Sequence, residues 1–444
     1  MIRTGRSSGW LKQPIDALPT WAAFHGVSFN GIKVGPLPGF EERGSTVIAD
    51  RELEGGKVEP LLAVPKELII SRQNIELLAK SDRHLREVLE AAGDFGRTTR
   101  GAVLIFLLMQ ATICCPDIKD IGVLNPLTEY VKYLPDELLP TFWSEEEQEL
   151  LTGTTLQPAV RAKLNSLLRE FELVRTATEG IEWCANYWWD EDSGLVTFDD
   201  WLCVDAMYRS RALEFPGVGD WKKIGKDGEI SITYGDDKGA CENIFSYGFL
   251  ESPMESAKVM FLDVEIPDDD PLRPAKMFVN TAAPGFRLFD KAGEIDWESD
   301  FIWLVIVNEE DGLDFKIRQT IDGKREIQAL WRDAELDDTS KLHEHLTGDP
   351  MWDVYQLRAA VLLQNRVDAQ INTLKEYGTP QKDASIRNAP WRLAERLRTL
   401  ELAMLERAFE AFESQKASLL ESTVVQQYLG LGGDDDGNEE VDFT

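Results

Sequence analysis

The sequence predicts an α+β fold: a β-rich piece interrupted by a long helical insert, followed by a mainly helical C-terminal domain with some β structure. Three observations predict it. Short alternating runs separated by glycine-bearing turns fill residues 25–65, helical spacing takes over from Glu67 to about Trp201, and strand alternation returns near Glu229.

Taken in order, HGVSFNGIKVGPLPGFEERGSTVIADRELEGG reads as short strands and turns, and Glu59–Val64 (EPLLAV) as a strand ended by Pro65. Leu77, Leu78, Leu85, Val88 and Leu89 then trace an apolar helical face. Gly101–Cys115 (GAVLIFLLMQATICC) is apolar almost throughout, yet too short to span a bilayer and interrupted by Gln110, so it predicts a buried helix. Ser144-Glu145-Glu146-Glu147 fits a capping box, in which the first serine and the third glutamate satisfy each other's backbone donors. Val160–Ile181 predicts an amphipathic helix, and Phe198–Ala212 another with Trp201, Val204 and Tyr208 on one side.

Beyond Glu251 the character changes. IPDDDPLRP reads as an acidic, proline-rich linker, while MFVNTAAPGFRLFDKAGEIDW and DFIWLVIVNEEDGLDF read as strands around turns. KLHEHL is an acidic helical stretch whose His343 and His345 are expected in solvent. Val354, Leu357, Val361, Val367, Ile371 and Leu374 keep helical spacing, as do Leu393, Leu397, Leu400, Met404 and Phe412 behind Pro390. The end, GLGGDDDGNEEVDF, has the composition of a disordered tail. These readings give a first domain over 25–251 with a helical insert at about 67–200, a second over 252–430, and an acidic tail at 431–444.

Charge narrows the partners. With 79 acidic against 47 basic residues the net charge is −32, which disfavours nucleic acid and anionic membrane surfaces and suits a basic protein segment. The five cysteines, Cys114, Cys115, Cys184, Cys203 and Cys241, form no C-x-x-C pair, and the four histidines are dispersed apart from His343 and His345. Neither a metal site nor a disulfide framework is indicated. The N-terminal stretch lacks the apolar core of a secretory leader. The expectation is an intracellular monomer of the cytoplasm or nucleus.

The stretch Glu229–Phe249, EISITYGDDKGACENIFSYGF, is the most informative. A strand carrying Ile230, Ile232 and Tyr234 on one face turns through Gly235–Gly239 into a helix that closes on Tyr247-Gly248-Phe249. Two phenols flank one turn, with no histidine between them. Together with Glu42–Ala49 (ERGSTVIA), Leu61–Pro65 (LLAVP), the YLPDELLPTFWSEEEQELLTGTTL segment and Tyr208-Arg209-Ser210-Arg211-Ala212, this stretch resembles the SET-domain protein lysine methyltransferases of the Rubisco large-subunit methyltransferase-like branch. The resemblance spans residues 30–251 well and 252–430 loosely.

The resemblance implies an S-adenosylmethionine-dependent methyltransferase acting on lysine in a non-histone protein, with a C-terminal helical domain that docks the substrate. It implies that Tyr234 is the catalytic phenol, that Tyr247 lines the lysine channel, that Arg211 pairs with the cofactor's carboxylate, and that Arg43 and Gly44 form the turn meeting the cofactor. Taken alone, Arg211 also reads as half of a surface ion pair with Glu214, and Gly44 as an ordinary turn glycine. The chain departs from the family in one respect. An Asp-x-x-Asn-His segment that helps bind the adenosine moiety is missing: only residues 221–229 separate Asp220 from Ile230, and no Asn-His pair occurs anywhere. The departure predicts weakened or lost S-adenosylmethionine binding, and the alternative function is that of a catalytically impaired protein-binding module.

Overall fold

The computed structural model describes residues 1–39, 45–53, 60–135, 139–190, 194–212, 226–227, 229–230, 238–251, 254–291, 293–319, 325–378 and 381–431. The predicted tail therefore falls outside the described residues from 432 onward. The chain divides into two units: Met1–Phe142, Ala159–Asp236 and Phe245–Gly248 form the first, and Trp143–Pro158, Asp237–Ile244 and Phe249–Thr444 the second.

Helices α1 (Ile2–Ser7), α2 (Leu18–Phe24), α3 (Arg72–Leu78), α4 (Arg83–Ala91), α5 (Gly93–Arg97), α6 (Thr99–Cys114) and α7 (Pro126–Tyr130) precede α8 (Glu145–Glu149), α9 (Leu156–Thr178), α10 (Glu182–Cys184) and α11 (Phe198–Arg209). The axis of the first unit is α6, the apolar run, buried from Gly101 through Thr112. Thr98 caps it by accepting a hydrogen bond from the Gly101 amide at 2.9 Å. Glycine is required at 101, because a Cβ there would lie 2.0 Å from the Phe95 carbonyl oxygen where α5 closes on α6. Leu85 and Val88, on the face that sequence spacing picks out, join α6 in one core with Ile75, Trp188, Trp201 and Val204, whereas Leu77, expected on that face, is exposed and Ile75 takes the inward position. Residues 1–24, ahead of the expected domain start, belong to this unit too: Ile2 and Leu11 are buried in the same core.

The strands of this unit come from both sides of the helical insert. Strands β1 (Ser28–Phe29) and β4 (Leu62–Ala63) pair with each other, and β3 (Ser45–Ala49) is the central strand between β2 (Ile32–Pro36) and β5 (Glu229–Ile230). All pairings are antiparallel, with Val34 opposite Val47 and Val47 opposite Ile230. An interrupted β fold, as the sequence predicts, is the result.

The second unit takes up α8, α12 (Ala240–Tyr247) as far as Ile244, and two three-stranded antiparallel sheets. Strands β6 (Val259–Asp263), β7 (Gly285–Lys291) and β8 (Glu294–Glu298) form one, and β9 (Leu313–Gln319), β10 (Arg325–Trp331) and β11 (Ala334–Leu336) the other. Helices α13 (Arg273–Val279), α14 (Phe301–Ile306), α15 (Leu342–Thr347), α16 (Trp352–Tyr377), α17 (Asn388–Leu420) and α18 (Thr423–Tyr428) complete it. The long α16 and α17 pack on each other, burying Leu363, Val367, Leu397 and Met404. Val361, expected on the apolar face, is instead exposed, and its neighbours Ala359 and Ala360 take the inward positions.

Further expectations are corrected. Residues 301–306 form a helix rather than a strand, and Met277–Val279, likewise read as strand, form the end of α13. Every residue of Phe301–Ile306 is buried, so the apolar run carries no periodicity by which to tell helix from strand. IPDDDPLRP is no linker. It lies between two paired strands, β6 and β7, its Ile266 and Leu272 are buried, and its end forms the start of α13. Residues 143–158, expected within the helical insert, group with the second unit. The Ser144–Glu147 capping box is present as predicted, but Glu147 also accepts from the Arg387 guanidinium at 2.7 Å and its amide at 3.0 Å. Further along, Thr155 donates to the buried Glu401, whose carboxyl burial pushes up to about 7.

The corrected linker generates a prediction. Lys276 is fully buried, with its ammonium 2.6 Å from Asp270 and 2.7 Å from the Val307 carbonyl. Burial lowers the Lys276 pKa, and Asp270 opposes that shift. Asp270→Ala leaves the ammonium without its counter-charge and should cost about 3–5 kcal/mol, read as a lowered urea midpoint. An unchanged midpoint would return this segment to the status of a linker.

Candidate functional site

Of the residues singled out from the sequence, Arg43, Gly44 and Tyr234 lie outside the described residues; Arg211 and Tyr247 are described. The flanks of the others are informative nonetheless. Strand β3 begins one residue after Gly44, and its partner β5 ends four residues before Tyr234.

Helix α11 delivers Arg211. It starts where the Asp200 carboxylate accepts from the Thr197 amide at 2.8 Å, and it ends at Arg209 with Ser210 as C-cap. Arg211 lies just past this end, half-buried, its amide on the Tyr208 carbonyl at 3.1 Å. One arm of its guanidinium donates to Ser210 Oγ at 2.6 Å, and that hydroxyl donates to the Ala206 carbonyl at 2.6 Å. Burial raises the pKa of Tyr130, and the Arg211 charge pulls in the opposite direction. Tyr130 in turn packs on Trp21, ring centroids 5.6 Å apart. A guanidinium held at a helix end suits a carboxylate, which it can bind through two parallel hydrogen bonds.

Tyr247 is the last residue of α12 and is half-buried. Gly248 follows at φ 75°, the left-handed conformation in which glycine ends a helix without strain. Between the two predicted residues stands Arg209, which sequence reasoning quoted only as part of a motif. It donates to the Phe245 carbonyl at 2.6 Å, and its guanidinium carbon lies 4.5 Å from the centre of the Phe245 ring. Arg209 is two residues before Arg211, and Phe245 two residues before Tyr247. This clamp brings the ends of α11 and α12 to one place.

Arg209 is itself held from behind by Asp205, whose side chain is fully buried. Asp205 faces three cations: Arg100 of α6 at 2.7 Å, Lys163 of α9 at 3.1 Å and Arg209 at 3.0 Å. The Arg209 approach is a charge contact rather than an aligned hydrogen bond. Arg100 also pairs with Glu170 at 2.9 Å. Burial alone would raise the Asp205 pKa, yet Arg209, Lys163 and Arg100 together hold it below the usual range. Only the Asp205–Arg209 spacing of four is local to the sequence; Arg100 and Lys163 come from helices far away in the chain, so the cluster as a whole carries no sequence signal. Among the described residues, no group of histidine, cysteine or acidic side chains is arranged to hold a metal, and no helix is long and apolar enough to cross a membrane.

A depressed carboxylate contributes stability that is present above its ordinary titration range, near pH 4, and is lost as pH falls through the folded pKa. Asp205→Ala should therefore lower stability at neutral pH by about 3–5 kcal/mol and remove part of the acid-induced loss seen in the parent chain. Thermal melts at pH 7 and pH 3 check both. Equal melting of parent and variant at pH 7 would deny the cluster its structural role.

No family model matches the chain. SET domain-containing protein 8 of Schizosaccharomyces pombe is 26% identical over 388 residues, covering 77% of this chain and 83% of that protein. Among solved structures, Rubisco LSMT bound to AdoMet superposes with a TM-score of 0.61 at 19% identity, over 95% of this chain and 98% of that one. The SET domain of LSMT bound to methyllysine and AdoHcy gives a TM-score of 0.60 at 18% identity, over 96% and 98% respectively.

Proposed function

Because the chain is a SET-domain protein with the fold of Rubisco LSMT, we propose that it is an S-adenosylmethionine-dependent protein-lysine N-methyltransferase acting on a non-histone protein. The observation that carries the reading is a fold shared over nearly the whole chain with proteins solved in the presence of AdoMet, lysine and methyllysine. Among the described residues the donor chemistry at Arg211 fits the amino-acid end of S-adenosylmethionine. When bound, that cofactor supplies a methyl group activated by a sulfonium.

The chain's residues do the rest by positioning. Arg211 would hold the carboxylate, and glycine at 44, having no side chain, would let the turn at Arg43-Gly44 meet the cofactor. The Tyr247 ring walls a channel whose faces attract the lysine head while its stem sheds water. The Tyr234 hydroxyl hydrogen-bonds the amine and aligns it for in-line attack. No side-chain base is needed, since the amine releases its proton to water before transfer. The net charge of −32 favours a substrate segment that is basic, in the cytoplasm or nucleus.

Tyr234→Phe should cut turnover strongly in a radiolabelled methyl-transfer assay while leaving cofactor affinity nearly intact. Equal activity in the two proteins would remove Tyr234 from this role.

One sequence observation favours a second reading, in which this chain is an impaired member that binds proteins without methylating them. The Asn-His segment is missing between Asp220 and Ile230. Each recognition hydrogen bond contributes about 0.5–1.5 kcal/mol, so the loss of two or three would weaken affinity by roughly one to three decades. Calorimetric titration should show weak or no S-adenosylmethionine binding, restored when a family-like segment is inserted after Asp220. Micromolar binding by the chain as it stands would discard the impaired reading.

A further inference from the structure

In the second unit, three tryptophans and a histidine gather around one surface pocket. Trp303, on α14, is buried and forms its floor. His343, on α15, stacks on it with ring centroids 4.5 Å apart and planes 12° from parallel. Trp297, at the end of β8, and Trp352, at the start of α16, flank Trp303 at 5.4 and 5.1 Å, tilted by 31° and 32°. Glu298 and Asp300 stand at the rim of this pocket of about 320 Å³.

We propose that this pocket binds an arginine side chain on an extended segment of a partner protein. Charge and ring geometry select that occupant together. The faces of tryptophan attract cations, and two carboxylates at the rim exclude anions. The rings pack on one another with centroids 4.5–5.5 Å apart, so an occupant lies against an outward face of the cluster rather than between rings. A single ring face suits a planar guanidinium, which stacks flat on it, better than a tetrahedral ammonium, which prefers walls on several sides. The rim carboxylates can then take the outward N–H groups as a fork.

Those carboxylates are available. Asp300 is the N-cap residue of α14 and makes no capping bond with its side chain. Glu298 has Arg287 at 3.4 Å, but both side chains are about 60% exposed, and such pairs are readily exchanged. The rim is also rigid. Ser299 Oγ donates to the Gly285 carbonyl at 2.6 Å and accepts from the Ile302 amide at 3.0 Å, which fixes the corner between β8 and α14.

A chain segment, rather than a free small molecule, follows from what lies on the other side of the same corner. Glu298, Ser299 and Asp300 also line a second pocket of about 590 Å³, walled by Phe261, Ala282, Ala283 and Phe286 together with Arg287, the exposed partner of Glu298. Two cavities share one acidic ridge. An extended peptide crossing that ridge places arginine in the tryptophan pocket and a neighbouring apolar residue in the other. Binding of this kind requires no methyl transfer, so its outcome is independent of whether the cofactor site works.

The test is a fluorescence titration of the full chain with short acetylated, amidated peptides carrying a central arginine, lysine or citrulline. The arginine peptide should saturate, with tryptophan emission changing. Citrulline, which keeps the shape and drops the charge, should bind roughly tenfold more weakly or worse. Asp300→Asn and, separately, Trp352→Ala should each weaken the arginine peptide by a similar factor; circular dichroism melts establish that both variants fold, and the milder Trp352→Leu serves if the alanine variant does not. Saturation by citrulline at equal affinity, a lysine peptide binding as tightly as arginine, or unchanged binding in the folded variants would each overturn the assignment.

Discussion

The buried carboxylate of Asp205 is the interaction on which the rest of the first unit depends. An isolated ionised carboxylate in an apolar interior is costly by several kcal/mol after relaxation, so Asp205 is tolerable only in company. Arg100, Lys163 and Arg209 supply that company from three helices whose relative positions are thereby constrained. Ion pairs of this kind are poor evidence for net stability, since an apolar replacement of similar shape often serves as well. What they give is geometry. A helix that slides along its neighbour by a turn separates its charge from the others, and the penalty rises steeply because the Asp205 carboxylate is fully buried. The Arg209–Phe245 contact transmits this constraint from the core to the residues flanking Arg211 and Tyr247.

The second unit uses the same device with different groups. Lys276 is fixed by Asp270 and two carbonyls, and Glu147 by both the amide and the guanidinium of Arg387. Arg398 donates to the Leu150 and Thr152 carbonyls, and Glu401 accepts from Thr155. These ties fasten residues 143–158 to α17. In a chain with so many carboxylates, surface repulsion favours expansion. Buried, directional pairs resist it where exposed ones, screened by salt, do not.

These long-range pairings are also what the sequence conceals. The buried helix at 101–115, the capping box at Ser144, the interrupted β arrangement and the two long C-terminal helices were legible because each is a local pattern: an apolar run, a spacing of three, a change of period. Phe301–Ile306 misled because a short, fully apolar segment looks alike as strand or helix. IPDDDPLRP misled because its composition is that of a linker, while the buried Lys276 that recruits Asp270 lies beyond the segment. His343, read as solvated from KLHEHL, keeps its exposure but stacks on a tryptophan 40 residues earlier in the chain. In the candidate site, motif resemblance points to Tyr247 and Arg211. Arg209 and Asp205 were not, since their roles depend on partners in other helices.

The charge of the chain bears on lysine chemistry in two opposing ways. Acidic surface attracts a basic segment from beyond contact, over roughly 10 Å at moderate salt, but the same negative potential stabilises the ammonium form of lysine, which cannot attack a methyl group. A methyltransferase built on this chain must therefore separate attraction from reaction in space. Carboxylates on the surface can serve the first role, while a channel lined by phenols serves the second, offering hydrogen bonds and ring faces without a formal negative charge that would hold the proton on nitrogen. In the proposed site, an aspartate in place of either tyrosine would bind lysine more strongly and leave it less reactive, a physical reason for phenols in those roles.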